Sequence, residues 1–272
     1  MNDFTLFLIA FFIYISALFF YFYYFFARRE VLARVGFRIV AVGVIFHTLA
    51  LILRTVSTGH APFANMYESI SFFAWTIVVA YLIMEAKYKF TAAQGFIILV
   101  VVGLMALASS PLMPKQAVPL VPALQSYWLW LHVSVTLIGE AFFAVAFILS
   151  LMYIRVERRE KGGKKTKSGL DAATLDQLSY RCISTGFPIF TLGGLIFGMI
   201  WAHKAWGSYW NWDPKETWTL VTWFIYALYL HSRLVMGWRG RRSAYIAVLG
   251  FLSALFTYFG VNYILSGLHS YR

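Results

Sequence analysis

The chain has 272 residues, of which 61% are hydrophobic and only 12% charged, with a mean hydropathy of +0.70; a soluble domain carries about a quarter charged residues. This composition excludes a soluble globular protein and marks an integral membrane protein whose whole length, 1–272, is one membrane domain. The net charge of +12 is not a nucleic-acid signal, because the basic residues collect in alternate loops as membrane topology requires, and the single cysteine, Cys182, excludes an internal disulfide or a paired-cysteine redox centre, so any thiol chemistry must come from a partner.

In chain order, the first apolar run, Phe4 to Phe26, lacks a basic leading region and a small-residue cleavage site and is too long for a signal-peptide core. It reads as a retained spanning helix. A span needs about 20 apolar residues. That length predicts helices over 4–26, 37–53, 67–84, 92–109, 127–152, 182–202, 217–237 and 243–266. The fold class expected is all-α, a polytopic membrane protein with about eight transmembrane helices. Alternating ten-residue segments, the mark of a β-barrel, are absent, and no internal repeat is visible.

Eighteen basic residues, including Arg28, Arg29, Lys87, Lys89, Arg155, Lys164, Arg233 and Arg241, fall in one set of loops; five, Arg54, Lys115, Lys204, Lys215 and Arg272, fall in the other. The first set is expected on the cytoplasmic side, with both termini outside. The connection 155–181 is a solvated cytoplasmic basic loop, carrying KGGKKTKSG. The external connection 110–125 contains four prolines and reads as an extended cover.

Residues 201–218, WAHKAWGSYWNWDPKETW, hold five tryptophans in eighteen positions. An interfacial aromatic belt places one to three Trp or Tyr at a helix end. The external loop 203–216 therefore reads either as an unusually dense belt or as a surface for a flat, amphipathic ligand.

There are six histidines. Imidazole is the commonest metal ligand and also binds haem iron. His132, at the start of the fifth helix, and His269, just past the eighth, are 137 residues apart but approach the same face as the Trp-rich loop. With it they make the parts of a bis-histidine haem pocket; without it they would read as helix-end histidines. His231 is fourteen residues into the seventh helix, about 21 Å at 1.5 Å per residue, in the cytoplasmic half of the bilayer. It is either a hydrogen-bonded structural histidine or a ligand in a second, deeper site. His47, mid-membrane in the second helix, either shares that site or bonds a neighbouring helix. His60 and His203 read as solvated loop histidines. Glu140, about two turns below His132, reads as structurally paired.

WGSYWNWDPKETW resembles the WWD signature of the haem-handling proteins CcsA, CcmC and CcmF. GHAPFANMYESISFFAW (59–75), YLHSRLVMGWRGRR (229–242) and GVNYILSGLHSYR (260–272) narrow the resemblance to the CcsA family, from about Arg54 onward. That resemblance implies the system II pathway of cytochrome c maturation. There CcsA works with a CcsB (ResB) partner to move haem b across the membrane and present it to the CxxCH motif of an apocytochrome. The complex would be a cytochrome c haem lyase; the role of this subunit alone is left open. By position, His132 and His269 would be the external iron ligands. His231 would be the transmembrane ligand, its opposite ligand coming from the partner, which makes His47 a doubtful one. This chain has no CcsB part, so a separate partner is expected.

Haem chemistry gives the other residues roles. Trp206, Trp210 and Trp212 would cover the porphyrin plane. Lys204 or Lys215 would meet propionates. Asp213 and Glu216 would shape the loop or orient a ligand imidazole. Gly207 would admit a close backbone approach, and Tyr67 and Glu68 would adjoin the external pocket. Thioether formation needs reduced thiols, hence a thiol-reducing partner. The competing readings are a CcmC-type haem delivery protein, which has six spans, a multi-span transporter of another substrate, and a membrane haem electron carrier. The membrane expected is a bacterial cytoplasmic (inner) membrane rather than a thylakoid.

Overall fold

The computed structural model describes residues 2–116, 120, 124–163 and 170–265; His269 and the core of the KGGKKTKSG stretch lie outside them. Among the described residues the chain is helical, with no strand. Its long helices are α1 (Asp3–Ala27), α2 (Glu30–Thr58), α3 (Met66–Tyr88), α4 (Thr91–Ser109), α5 (Tyr127–Lys161), α6 (Ala172–Trp206), α7 (Pro214–Leu234) and α8 (Arg241–Ile264). Seven of these are long and apolar enough to cross a membrane, so the protein is a polytopic membrane protein. The helix outside that set is α7. Lys215, Glu216, His231 and Arg233, with several Thr, Trp and Tyr, lower its hydropathy, although its 21 residues have spanning length.

Each predicted span has its helix, but several helices run further than their apolar cores. α5 continues to Lys161 and α6 begins at Ala172, so both ends of the predicted 155–181 loop are helical. Backbone hydrogen bonds propagate a helix whether or not its residues are apolar. At 1.5 Å per residue, the 35 residues of α5 reach about 52 Å, well past a core of ~30 Å. Starts are marked by caps. Asn2, Asn65, Ser126 and Asp171 accept hydrogen bonds from the Thr5, Glu68, Trp128 and Thr174 amides. At Asp171 these bonds hold the carboxyl below its usual pKa.

The helices form two compact units, 1–120 and 121–272. In the first, α1 and α2 pack as a hairpin, with α4 against α1 and α3 against α4. One end of this unit is an ionic knot. Arg54 bonds Glu68 at 2.8 Å, Asp3 at 3.3 Å and the Lys115 carbonyl at 2.9 Å. The α1–α2 and α3–α4 turns, which carry Arg28, Arg29, Lys87 and Lys89, lie at the other end.

In the second unit α5 is central, packed against α6 and α8. Small residues set the α5–α6 contact. A Cβ added at Gly139 would lie 2.7 Å from the Phe190 backbone nitrogen, and one at Gly186 would lie 2.8 Å from the Gly139 carbonyl oxygen. Such seams let backbones approach where lipid supplies no hydrophobic drive. At one end Arg233 makes a bidentate pair with Asp176, at 2.8 and 2.6 Å, and the Gly240 amide donates to the same carboxylate at 2.9 Å. The C-terminal end of α5, the start of α6 and the α7–α8 connection meet there. The Trp-rich connection α6–α7 lies at the opposite end.

Candidate functional site

The site is best built from α6. Pro188 lies inside this helix, where it cannot donate a backbone hydrogen bond and its ring crowds the preceding turn. Immediately after it, Thr191–Phe197 adopts a π-helical turn. Such widenings are rare and recur at functional sites. The Gly198 amide bonds back to the Gly193 carbonyl, five residues earlier. The same carbonyl oxygen accepts a hydrogen bond from His132 Nδ1, on α5, at 2.8 Å. A carbonyl only accepts, so the proton is on Nδ1 and, in the neutral ring, Nε2 bears the lone pair. The His132 ring lies parallel to Trp201 at 5.8 Å, and Trp201 meets Trp206 edge-on at 6.3 Å. His132 is half-buried.

The loop after α6 is built by standard helix-end chemistry. Gly207 stops α6 with φ +77° and its amide bonded to the His203 carbonyl. A Cβ there would meet no protein atom within 4 Å, so within the protein it is the backbone angle that calls for this glycine. Asp213 starts α7: it accepts the Lys215 amide at 3.0 Å, Glu216 completes a capping box, and Pro214 occupies the first turn. Glu216 also receives the Asn211 amide at 2.8 Å. Asp213 and Glu216 thus shape the loop, and the His132 imidazole is bonded by the Gly193 carbonyl, which no side-chain motif announces.

Between these caps, Trp212 has φ +55°, a left-handed conformation that is uncommon and strained for a bulky residue. It leaves Trp212 69% exposed, packed edge-on against Trp210 at 5.7 Å. Trp210 is half-buried, and its indole Nε1 is buried without a hydrogen-bond partner among the described residues. Trp206 is exposed. The loop therefore combines exposed indole faces with an unsatisfied donor.

The other candidates separate. Lys215 Nζ donates to Asn262 of α8 at 3.0 Å, and its charge reaches buried Glu140, so it is tied into the helix packing; Lys204 is exposed. His203 is exposed and stacks on Tyr209 at 4.2 Å. His60, expected to be solvated, is instead buried, with Nδ1 bonded to the Ala61 carbonyl at 2.9 Å, because the loop after α2 folds back on itself. Tyr67 and Glu68 belong to the Arg54 knot of the first unit. His47 is fully buried there, with Nε2 3.1 Å from Ser71 Oγ of α3.

His231 stands on the outer surface of α7, seventeen residues beyond Pro214, or about 26 Å along the helix. It is exposed, in a stripe with Val221, Phe224, Leu228 and Val235, all exposed as well. Among the described residues no three His, Cys, Asp or Glu gather as for a bare metal ion.

Comparison with known proteins shows the family. A family profile described as "Cytochrome C assembly protein" matches residues 63–269. The chain is 40% identical to the cytochrome c biogenesis protein CcsA of Synechococcus sp. (strain CC9902), covering 86% of this chain and 85% of that one. It is 37% identical to CcsA of Gloeobacter violaceus, covering 85% and 84%.

The chain belongs to the CcsA family.

Against CcsA of Chlamydomonas reinhardtii it is 43% identical over 82% of this chain, spanning 64% of that relative's length. The CcsA family is a family of cytochrome c biogenesis proteins, and assembly of a cytochrome c necessarily involves haem. The profile takes in His132, the π-helical turn, the whole Trp-rich loop and α7.

Proposed function

We propose that this CcsA carries haem b across the membrane with a CcsB-type partner and presents it at the Trp-rich face for covalent attachment to an apocytochrome. The observation that carries this reading is His132. Its proton is held on Nδ1 by a backbone carbonyl and its ring is stacked on Trp201, at the end of the unit where exposed Trp206 and Trp212 lie. A neutral imidazole with a defined lone pair beside indole faces suits an iron porphyrin, which needs axial donors and an apolar cover.

His269 is the proposed second external ligand, and two imidazoles would saturate the iron and suppress oxygen chemistry. The protein's part in attachment is positioning. Each thioether forms when a cysteine S–H adds across a haem vinyl C=C, with the sulfur joining carbon and the proton ending on the neighbouring carbon. The step is redox-neutral once thiols and haem are reduced, so a thiol-reducing partner is part of the proposal. The incoming CxxCH histidine displaces one external ligand and releases the product. His231 is the proposed transmembrane ligand of the intake site. Its exposure on an apolar stripe of α7 supports an opposing ligand from the partner helix. The proposed orientation puts the basic loops in the cytoplasm of a bacterial inner membrane and the Trp-rich face outside.

The deciding experiment is co-expression with a CcsB-type partner and a CxxCH reporter, scored for covalent haem, with visible spectra of the purified complex. A colourless complex formed with ample haem overturns the proposal. Haem that is retained but never transferred to the reporter favours an electron carrier.

A further inference from the structure

The π-helical turn of α6 and the ring of His132 fit each other in a way that helix packing alone does not require. In a regular helix a carbonyl points along the axis and is taken by the amide four residues on. Here the Gly193 carbonyl is taken by the amide five residues on, Gly198, and also receives His132 Nδ1 at 2.8 Å. Two glycines make the meeting sterically open. At Gly193 an added Cβ would strike the Val135–Thr136 backbone of α5. At Gly198 it would lie 3.0 Å from both Nδ1 and Cε1 of His132, the ring edge that carries the hydrogen bond. On the α5 side, Thr136 Oγ1 donates to the His132 carbonyl at 2.5 Å, and Trp201, one turn past Gly198, stacks on the ring.

We propose that the Gly193 carbonyl, turned out by the π-helical segment, is a positioning group that fixes His132 as the Nδ1-protonated tautomer with Nε2 as its donor atom, and that Gly198 is glycine to leave room for that ring. The proposal rests on the haem reading for its purpose but not for its structural content. A backbone acceptor on a ligating histidine fixes the tautomer and raises ligand basicity, and losing such a support weakens metal binding by about ten- to a hundredfold. Because the acceptor is a backbone atom, no substitution removes it directly. The accessible lever is Gly198.

The test uses the full chain in lipid nanodiscs, with 15N-labelled histidine. The His132 signals are assigned by their loss in His132→Gln. The wild-type ring is expected to be neutral and protonated on Nδ1; protonation on Nε2 overturns the proposal whether or not haem ever binds. Gly198→Ala should lose this single tautomer. Gly194→Ala, whose Cβ would meet Thr219 and Phe190 and not His132, should keep it. In the second arm, haem is added to the complex with the partner. Gly198→Ala should retain it about ten- to a hundredfold less tightly than the wild type or Gly194→Ala; equal retention overturns the proposal. If the wild type takes up no haem, the haem reading fails while the tautomer result stands. If Gly198→Ala does not fold, the wild-type tautomer decides alone.

Discussion

His47 and His132 are both helix-borne histidines that hydrogen bond to a neighbouring helix, one in each compact unit, and their surroundings differ in every other respect. His47 is fully buried, bonded to the Ser71 hydroxyl, with Phe7 edge-on and Tyr14 tilted against its ring. A hydroxyl both donates and accepts, so Ser71 leaves the tautomer undetermined. His132 is half-buried, its partner a carbonyl that can only accept, and its neighbour a tryptophan that leads to an exposed aromatic loop. Under the proposed function, burial of an imidazole is no guide to ligation. A defined tautomer and access to a suitable surface are better ones.

This contrast yields a graded set of expectations. The largest effect belongs to His132→Ala. Covalent haem on a co-expressed CxxCH reporter should fall by more than about a hundredfold, beyond what loss of a supporting group costs, while the detergent-purified protein keeps its unfolding temperature within a few degrees. Normal attachment in this variant would remove the distinction between the two histidines. His231→Ala should lower the haem content of the complex by about tenfold or more, read from the visible spectrum, without changing how the partner co-purifies. A variant that instead loses the partner and keeps its haem would make the α7 stripe a docking surface only.

Asp176→Ala should act on stability. It leaves Arg233 unpaired, with a side chain only 7% exposed, and removes the acceptor for the Gly240 amide. Breaking such a pair costs about 3 kcal/mol, seen as a lowered midpoint of thermal unfolding. Asp213→Ala should cost about 1 kcal/mol as a lost helix cap and loosen the strained Trp212 turn, read as faster hydrogen exchange of the Asn211 to Lys215 amides. Smallest of all, His47→Phe should cost about 0.6 kcal/mol, the mean value of an interhelical hydrogen bond in a membrane, and leave haem attachment unchanged. Loss of attachment there would bring His47 back as a ligand.

Much of this was legible in the sequence because the bilayer imposes a length and an apolarity on every span. Seven of the described helices follow from that rule, and α7 meets its length while its aromatic and charged residues keep it short of the apolarity. Their ends did not follow. Glu30 to Arg34, Arg155 to Lys161 and Ala172 to Arg181 carry charged or polar residues among apolar ones, yet the backbone carries the helix on through them. At the site, Trp206, Trp210, Trp212 and His132 stood out by density and by topology. Trp201 belongs to the tryptophan cluster, and nothing in the sequence signals that it stacks on His132, 69 positions earlier in the chain. Gly193 and Gly198 looked like ordinary small residues of a membrane helix, and the six-residue sequence distance from Pro188 to Gly194 carried no mark of a π-helical turn.

Composition and span length were enough to determine a multi-span membrane protein, and the resemblance carried by the tryptophan motif and its companion segments was enough to point to the CcsA family, because each is a local or additive property of the chain. The tertiary structure alone decided which histidine met a backbone carbonyl, which was sealed into packing and which was left exposed. Those outcomes depend on where a carbonyl oxygen and a ring edge from distant helices come to lie, to within a few tenths of an ångström, and no one-dimensional pattern encodes that meeting.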